Sequence, residues 1–387
     1  MNIILFDGSE WENLRPLTLT KPFSELRIGI LSFRERWMKL IEGSYSFSTR
    51  SYLSEKYVLN TEKLNLFINP SFFPNGFLVE SLRNLKEGES LWYQNELIGC
   101  FTSFEQFQNR DFIKKIESVS SVVHIQHLWE LFIYNEFAIG YDFKLLTHGR
   151  NSAKISETNH LINPENIFFE EGAKAEFSIL NATNGPIYLG KDSEIMEGSL
   201  VRGSLALCEN AKLNMGTKIY SGTTVGPHSK VGGELNNAIL MGYSNKAHDG
   251  FLGNSVVGEW CNLGAGTNNS NLKNNYAEVK LWDYSQKRFI NTGLQFCGLI
   301  MGDYSKSAIN TQFNTGTVVG VSANIFKPGF PPNFISSFNW GGSRDSEKFN
   351  LNRSYEAASK MMERREKILT ENDKDILKHI FDELTDY

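Results

Sequence analysis

The sequence predicts three parts in series: an α/β domain over residues 1–160, an all-β, single-stranded parallel β-helix over 161–340, and a helical tail over 341–387. Three observations lead there. Short apolar runs alternate with a helix-periodic segment near the start, bulky aliphatics recur every six residues through the middle, and apolar residues return to helical spacing at the end.

In the front part, "NIILF" (2–6) suits a buried first strand, and Asp7-Gly8 marks the turn that follows it. "SFRERWMKLIE" places Phe33, Trp37, Leu40 and Ile41 on one helical face, and "LNLFIN" (64–69) reads as a second central strand. "HLWELFIYNEFAIGYDF" (127–143) is helical in pattern and leads into the repeats.

In the middle, Leu189, Ile195, Val201, Leu207, Leu213, Ile219, Val225 and Val231 keep a step of six without a break. Two extra residues are read after Val231, and Ile239, Asn245, Phe251, Val257 and Leu263 then resume the step. Met301, Ser307, Phe313, Val319 and Ile325 keep it later. Neither the helical nor the strand period divides six. A hexapeptide step is the mark of a parallel β-helix, in which each unit forms one flat side of a triangular coil and its aliphatic points inward. Each coil buries its core only against its neighbours. "LWDYSQKRFINTGLQFCG" (281–298) breaks the step and reads as a loop leaving a corner, placed to cover the site or to touch another subunit. "KPGFPPNFISSFNWGG" (327–342) holds three of the ten prolines and is expected to end the coils and close the prism. In the tail, Thr370 and Asp373 look like a capping pair ahead of Ile376, Leu377, Ile380, Phe381 and Leu384 on one apolar face.

Composition narrows the function. A net charge of −5 without a Lys/Arg block gives no footprint for nucleic acid or for an anionic membrane. The start, "MNIILFDGSE", lacks the basic segment and long apolar stretch of a signal peptide, and no run reaches the ~18 apolar residues of a membrane span. Cys100, Cys208, Cys261 and Cys297 lie far apart, which argues against a disulfide scaffold and for a reduced, cytoplasmic setting. A catalytic zinc of the kind built from three histidines needs one more than the repeats carry, since only His228 and His248 fall among them. No metal ligands are assigned.

The repeats resemble the left-handed β-helix of the hexapeptide acyltransferases over about residues 165–335. They are most similar to the C-terminal half of the bifunctional family that acetylates glucosamine 1-phosphate and then uridylylates it. The resemblance rests on "SNKAHDGFLGNSVVGEWCNLGAGTNNSNL" (244–272), where Lys246, His248, Phe251, Leu252-Gly253, Asn262, Gly264-Ala265-Gly266-Thr267 and Asn271 stand at the family's spacing. It implies acetyl-CoA as acyl donor and a homotrimer with sites between prisms. A protonated sugar amine is no nucleophile, and imidazole, with a reference pKa of ~6.5, suits the removal of its proton. His248 is therefore the expected general base. Asn262 and Asn271 have two readings: amides that orient the sugar or polarise the thioester carbonyl, or corner residues that satisfy backbone. Lys246, Lys273 and Lys280 are the nearby cations for phosphate groups, or solvated surface charges. Phe251 keeps the ring of the family's tyrosine and loses its hydroxyl. Tyr220 and Asn236 replace its phosphate-clasping Arg and Lys, with Lys218 as a substitute.

The front domain resembles a reduced sugar nucleotidyltransferase, Rossmann-like in class, through "IILFDG" and Leu14-Arg15-Pro16-Leu17-Thr18. The family's glycine-rich phosphate loop is missing: Gly8 is followed next by Gly29, with Glu10, Trp11 and Glu12 between. Asn69 stands where a metal-binding Asp is expected. Gly8, Arg15, Lys21 and Arg27 are the candidates for nucleotide or sugar phosphate. The implied function is N-acetylation of an amino-sugar phosphate coupled to nucleotidyl transfer from a nucleoside triphosphate such as UTP, with Mg²⁺. The alternatives are an acetyltransferase with an inactive front domain, and a non-enzymatic trimeric module.

Overall fold

The computed structural model describes residues 1–118 and 121–383. The chain forms two compact units, one of residues 1–14, 20–26 and 31–127 and the other of residues 15–19, 27–30 and 128 onward. This division differs from boundaries at 160 and 340, and its basis is visible within the second unit.

The first unit is a six-stranded mixed sheet with helices. Its strands are β1 (Asn2–Phe6), β2 (Ser44–Ser48), β3 (Asn65–Ile68), β4 (Glu89–Tyr93), β5 (Glu96–Thr102) and β6 (Lys114–Glu117), in the order β2-β1-β3-β5-β4-β6. Both predicted central strands are central. Alternation sorts their side chains to two faces: Ile3 and Leu5 pack with Trp37, Leu66 and Ile68, while Ile4 and Phe6 pack with Phe67 and Cys100. Helix α1 (Glu10–Asn13) follows β1 directly, and α2 (Phe33–Leu40) starts in a reciprocal Ser32–Glu35 capping box. Helices α3 (Gly76–Arg83) and α4 (Phe104–Asn109) complete this unit.

The second unit opens with α5 (Leu128–Ile133) and α6 (Asn135–Thr147), which pack on the strands of the coils. Asn135 donates to the Gly222 carbonyl at 2.6 Å and accepts from Thr224 at 3.0 Å and from the Gly29 N–H at 2.7 Å. Gly29 has φ +73°, and a Cβ there would sit 2.8 Å from the Ala138 carbonyl carbon, so only glycine brings this segment against α6.

The coils then stack as parallel ladders. All eight residues of the first unbroken step, Leu189 to Val231, join one interior cluster. So do Met301, Phe313, Val319 and Ile325, while Ser307 is buried in line with Leu263. The step after Val231 differs from the sequence reading. The inward residues are Leu235, Leu240, Lys246, Leu252, Val257 and Leu263, fixed by Val225↔Leu240, Val231↔Lys246 and Leu235↔Leu252. Ile239, Asn245 and Phe251 therefore point outward, one place off the expected rung. A tight Gly232-Gly233 turn, with Gly233 at φ +78°, shortens the side that follows Val231.

Two further segments depart from expectation. Residues 281–298 form a hairpin, Lys280–Asp283 against Arg288–Asn291, that packs on its own chain, with Trp282 stacked on Phe334 at 4.3 Å. Residues 327–342 do not end the coils. Phe334–Ile335 pairs with Val318–Val319 and Asn339–Gly341 with the 324–325 strand, so the prolines lie in a loop of one more coil. The tail carries α7 (Leu351–Glu363) and α8 (Glu371–Glu383). The Thr370 hydroxyl accepts from the Asp373 N–H, and the Asp373 carboxylate accepts from Thr370 in return. Ile376, Leu377 and Ile380 are buried, and Phe381 meets Phe338 edge to face. Leu384 lies outside the described residues.

Candidate functional site

The strand Asn245–Lys246 lies between Lys230–Val231 and Asn262–Leu263. Because Lys246 takes an inward position, its ammonium is only 1% exposed. It donates to the Gly232 carbonyl at 3.1 Å and to the His248 carbonyl at 2.6 Å. Burial pushes its pKa down to about 8, against an opposing pull from Asp249. Lys246 is thus not a surface cation offered to a phosphate. It ties the backbone of residue 248 to the preceding coil.

The fit beneath that corner is close. A Cβ at Gly232 would lie 2.5 Å from the Ala247 carbonyl oxygen, and one at Gly250, where φ is +124°, would lie 2.1 Å from the Thr267 carbonyl oxygen. The His248 side chain is exposed, and among the described residues its ring has no hydrogen-bond partner. The Phe251 N–H donates to Asn268 at 2.8 Å. A Cβ at Gly253 would strike the Phe251 ring at 2.4 Å and the Asn271 amide at 2.8 Å, so glycine lets ring and amide converge there. The Asn271 amide donates to Asn254 at 2.8 Å and keeps its own oxygen outside that bond. Phe251 and Asn271 come together at Gly253.

Asn262 sits elsewhere, in the outward column Lys230–Asn245–Asn262–Lys306, where it lines a cavity with Arg364 and Arg365. Lys273 is engaged with the Glu278 carbonyl at 2.6 Å, and Lys280 lies exposed on the hairpin. In the GAGT string, Gly264 and Gly266 allow close stacking on residues 308–310, and Thr267 bonds Ser307 at 3.1 Å. That string is structural cement for the corner.

In the first unit, β1 ends at a buried acidic cluster. Glu10 folds back over Gly8, where a Cβ would lie 2.1 Å from its Oε2. Its Oε1 accepts from Asn69 at 3.1 Å and Ser71 at 3.0 Å, and meets His124 Nε2 at 2.5 Å. Burial would raise the Glu10 carboxyl, but the hydrogen bond and charge of His124, with Asn69, hold it below its usual range. Glu10 Oε2 is buried without a hydrogen-bond partner. Burial pushes Asp7 up to about 7, although Thr49 and the Phe23 N–H both donate to it. The expected repulsive turn is therefore an inward carboxylate that fills the space over Gly8. His124, remote in sequence, was missed: a single histidine in a polar stretch carries no spacing signal. No three His, Cys, Asp or Glu among the described residues could share a metal ion.

Gly8 thus lies under Glu10, and the candidate cations divide between the units. Lys21 is buried in the first, with its carbonyl accepting from Trp11 Nε1 at 3.2 Å. In the second, Arg15 lies over the Tyr284 ring at 5.7 Å and donates to Ser285 at 3.4 Å, while Arg27 donates to the Ile30 carbonyl.

Two pH effects follow. The native state keeps the Asp7 proton up to about pH 7, whereas the unfolded chain releases it near 3.8. Stability of the first unit should fall as pH rises between those values, by about 4 kcal/mol at most. Asp7→Asn should flatten that fall in denaturant midpoints measured at pH 5 and 8. Lys246 works in the opposite sense. The native state releases its proton near pH 8, the unfolded chain near 10.5, so stability should rise across that window. Lys246→Met should lack the rise.

A family model described as sugar nucleotidyl transferase matches residues 3–151. The chain is 29% identical over 144 residues to a bifunctional sugar-1-phosphate nucleotidylyltransferase/acetyltransferase of Sulfurisphaera tokodaii, covering 37% of this chain and 35% of that one. It is 33% identical over 104 residues to the bifunctional protein GlmU of Methanocaldococcus jannaschii, covering 27% of this chain and 24% of that one. The chain spans about a third or less of the length of these relatives. The solved UDP-N-acetylglucosamine acyltransferase of Campylobacter jejuni aligns with 59% of this chain and 96% of its own, at 14% identity and a TM-score of 0.26. The sequence matches bear out the resemblance to bifunctional sugar-1-phosphate nucleotidylyltransferase/acetyltransferases. No described helix is long and apolar enough to cross a membrane.

Proposed function

We propose that the chain transfers acetyl from acetyl-CoA to the amine of an amino-sugar phosphate, with His248 as general base. The observation that carries this reading is the corner at 246–271, where a buried ammonium and close-packed glycines fix the backbone of an exposed imidazole while Phe251 and Asn271 converge at Gly253. The sugar amine, its ammonium proton released to solvent, attacks the thioester carbonyl as His248 takes a proton from the attacking nitrogen, and His248 returns that proton to the departing sulfur. Asn271 holds an amide near that path, and the collapsing intermediate expels the CoA thiolate. Asn262, Lys273 and Lys280 remain proposals for substrate or donor contacts.

An exposed imidazole needs a wall to exclude water, and a homotrimer would supply it. Ile179 and Leu200 stand in register on one face at 41% and 47% exposure, with Lys218 next in their column and Tyr220 two residues further on, a mixed face offered to a second copy. In the leading reading the front domain couples acetylation to nucleotidyl transfer from UTP. A second reading, an acetyltransferase with a non-catalytic front domain, is favoured by the Glu10 carboxylate over Gly8, since a phosphate cradle needs that space and backbone N–H groups instead. Pyrophosphate release from UTP and a sugar 1-phosphate, assayed with added Mg²⁺, separates the two: release supports coupling and its absence supports the scaffold.

A further inference from the structure

Outside the His248 corner, one cavity gathers cationic side chains. It measures about 380 Å³ and lies between the outward column Lys230, Asn245 and Asn262 and the end of α7, with Met361, Arg364 and Arg365. Its volume falls within the ligand-site range of about 300–1,000 Å³. Tyr243, Ala247 and Trp260 complete the lining, and no carboxylate belongs to it. None of Lys230, Arg364 and Arg365 has an ion-pair partner among the described residues.

A second feature singles out the same wall. His228, Tyr243 and Trp260 occupy one corner of three successive coils with φ of +59°, +54° and +60°. The same left-handed corner recurs on other coils, at Asp192, Asn210, Tyr304, Ser322 and Phe338, so it belongs to the coil geometry, and the aromatic stack is what these three coils add. Their rings stack face to face, at 4.8 Å from His228 to Tyr243 and 4.2 Å from Tyr243 to Trp260. The ladder makes one side of the cavity rigid while three cations face each other across it. Burial and the charges of Arg365, Lys212 and Arg364 hold Lys230 below its ordinary pKa against an opposing pull from Glu194, and burial with Arg364 does the same to Arg365.

We infer that this cavity is an oligophosphate site, with Arg364, Arg365 and Lys230 on the phosphate oxygens and the Asn245 and Asn262 amides as further donors. Planar guanidinium groups give paired hydrogen bonds to such oxygens, and Lys230 adds a point charge. The site lies within one chain, because α7 supplies the arginines. The same chemistry is found in a free nucleoside diphosphate or pyrophosphate and in the phosphate end of CoA.

The test is calorimetric titration of the full chain with pyrophosphate, ADP and CoA, repeated on Arg364→Gln/Arg365→Gln and on Lys230→Gln. Pyrophosphate and ADP should bind the wild type. The double variant should weaken both at least tenfold and reduce the salt dependence of binding, while Arg364→Lys/Arg365→Lys should retain part of the affinity. Competition names the source: ADP displaced by CoA marks the phosphate end of the donor, and ADP bound alongside CoA marks a separate nucleotide. Binding unaltered in the double variant, or no binding of pyrophosphate and ADP by the wild type, overturns the inference. His248→Ala should bind pyrophosphate as the wild type does, so a failure of acetyl transfer leaves this result readable.

Discussion

His248→Ala should lower acetyl transfer to an amino-sugar phosphate by about 10²–10⁴-fold, the usual contribution of a positioned acid–base group. The loss should fall on kcat, because no described residue bonds the ring and its removal leaves the corner intact. Thermal stability should change by less than about 0.5 kcal/mol, as for other exposed side chains. A variant with full activity would remove His248 from the chemistry and leave the lysine-tied corner as packing alone.

Gly250→Ala should be the most damaging single-methyl change near the site. The backbone there has φ +124°, which an L side chain rarely adopts, and the added carbon would lie 2.1 Å from the Thr267 carbonyl oxygen. A non-glycine residue in such a region costs up to ~3 kcal/mol before the collision is counted. The collision cannot be relieved by a side-chain rotation, because its partner is backbone of the next coil. The coil carrying His248 must therefore move. We expect a lowered melting temperature together with a drop in kcat greater than the lost folded fraction explains. Gly329→Ala, at a loop glycine with no atom within 4 Å of the added carbon, provides a comparison with backbone strain and no collision. Equal loss in both would mean that conformation alone, without the contact to Thr267, accounts for the effect.

The hexapeptide rungs were legible because burial repeats with the chain's own period, and Leu189 through Val231 show that period in unbroken aliphatics. The rung that matters most for chemistry was not. Lys246 is inward, and a lysine inside a prism reads as a surface residue until the ladder shows Val231 beside it. How far the Gly232-Gly233 turn shortens a side is a matter of backbone geometry, which counting residues does not reveal. Pairings across long separations were hidden for a similar reason. Glu10 and His124 are 114 residues apart, and nothing local to the acidic turn points to its partners Asn69, Ser71 and His124. The helical pattern of 127–143 was plain, yet its packing on the coils rests on Asn135, one polar residue whose three hydrogen bonds have no sequence signature.

The ladder also explains why Asn262 and Asn271 separate although both belong to one motif. Asn262 lies on an outward column beside Lys306, whereas Asn271 follows the next corner and meets Asn254. Motif spacing alone placed them together. In the structure one amide belongs with Phe251 and the other with the arginines of the tail.

The most direct measurement is CoA thiol release by the purified full-length chain given acetyl-CoA and a panel of amino-sugar phosphates that includes glucosamine 1-phosphate. The account predicts steady release that requires the sugar amine and disappears with the N-acetylated sugar phosphate as acceptor. Release at the background rate with every member of the panel, from folded protein, would contradict it.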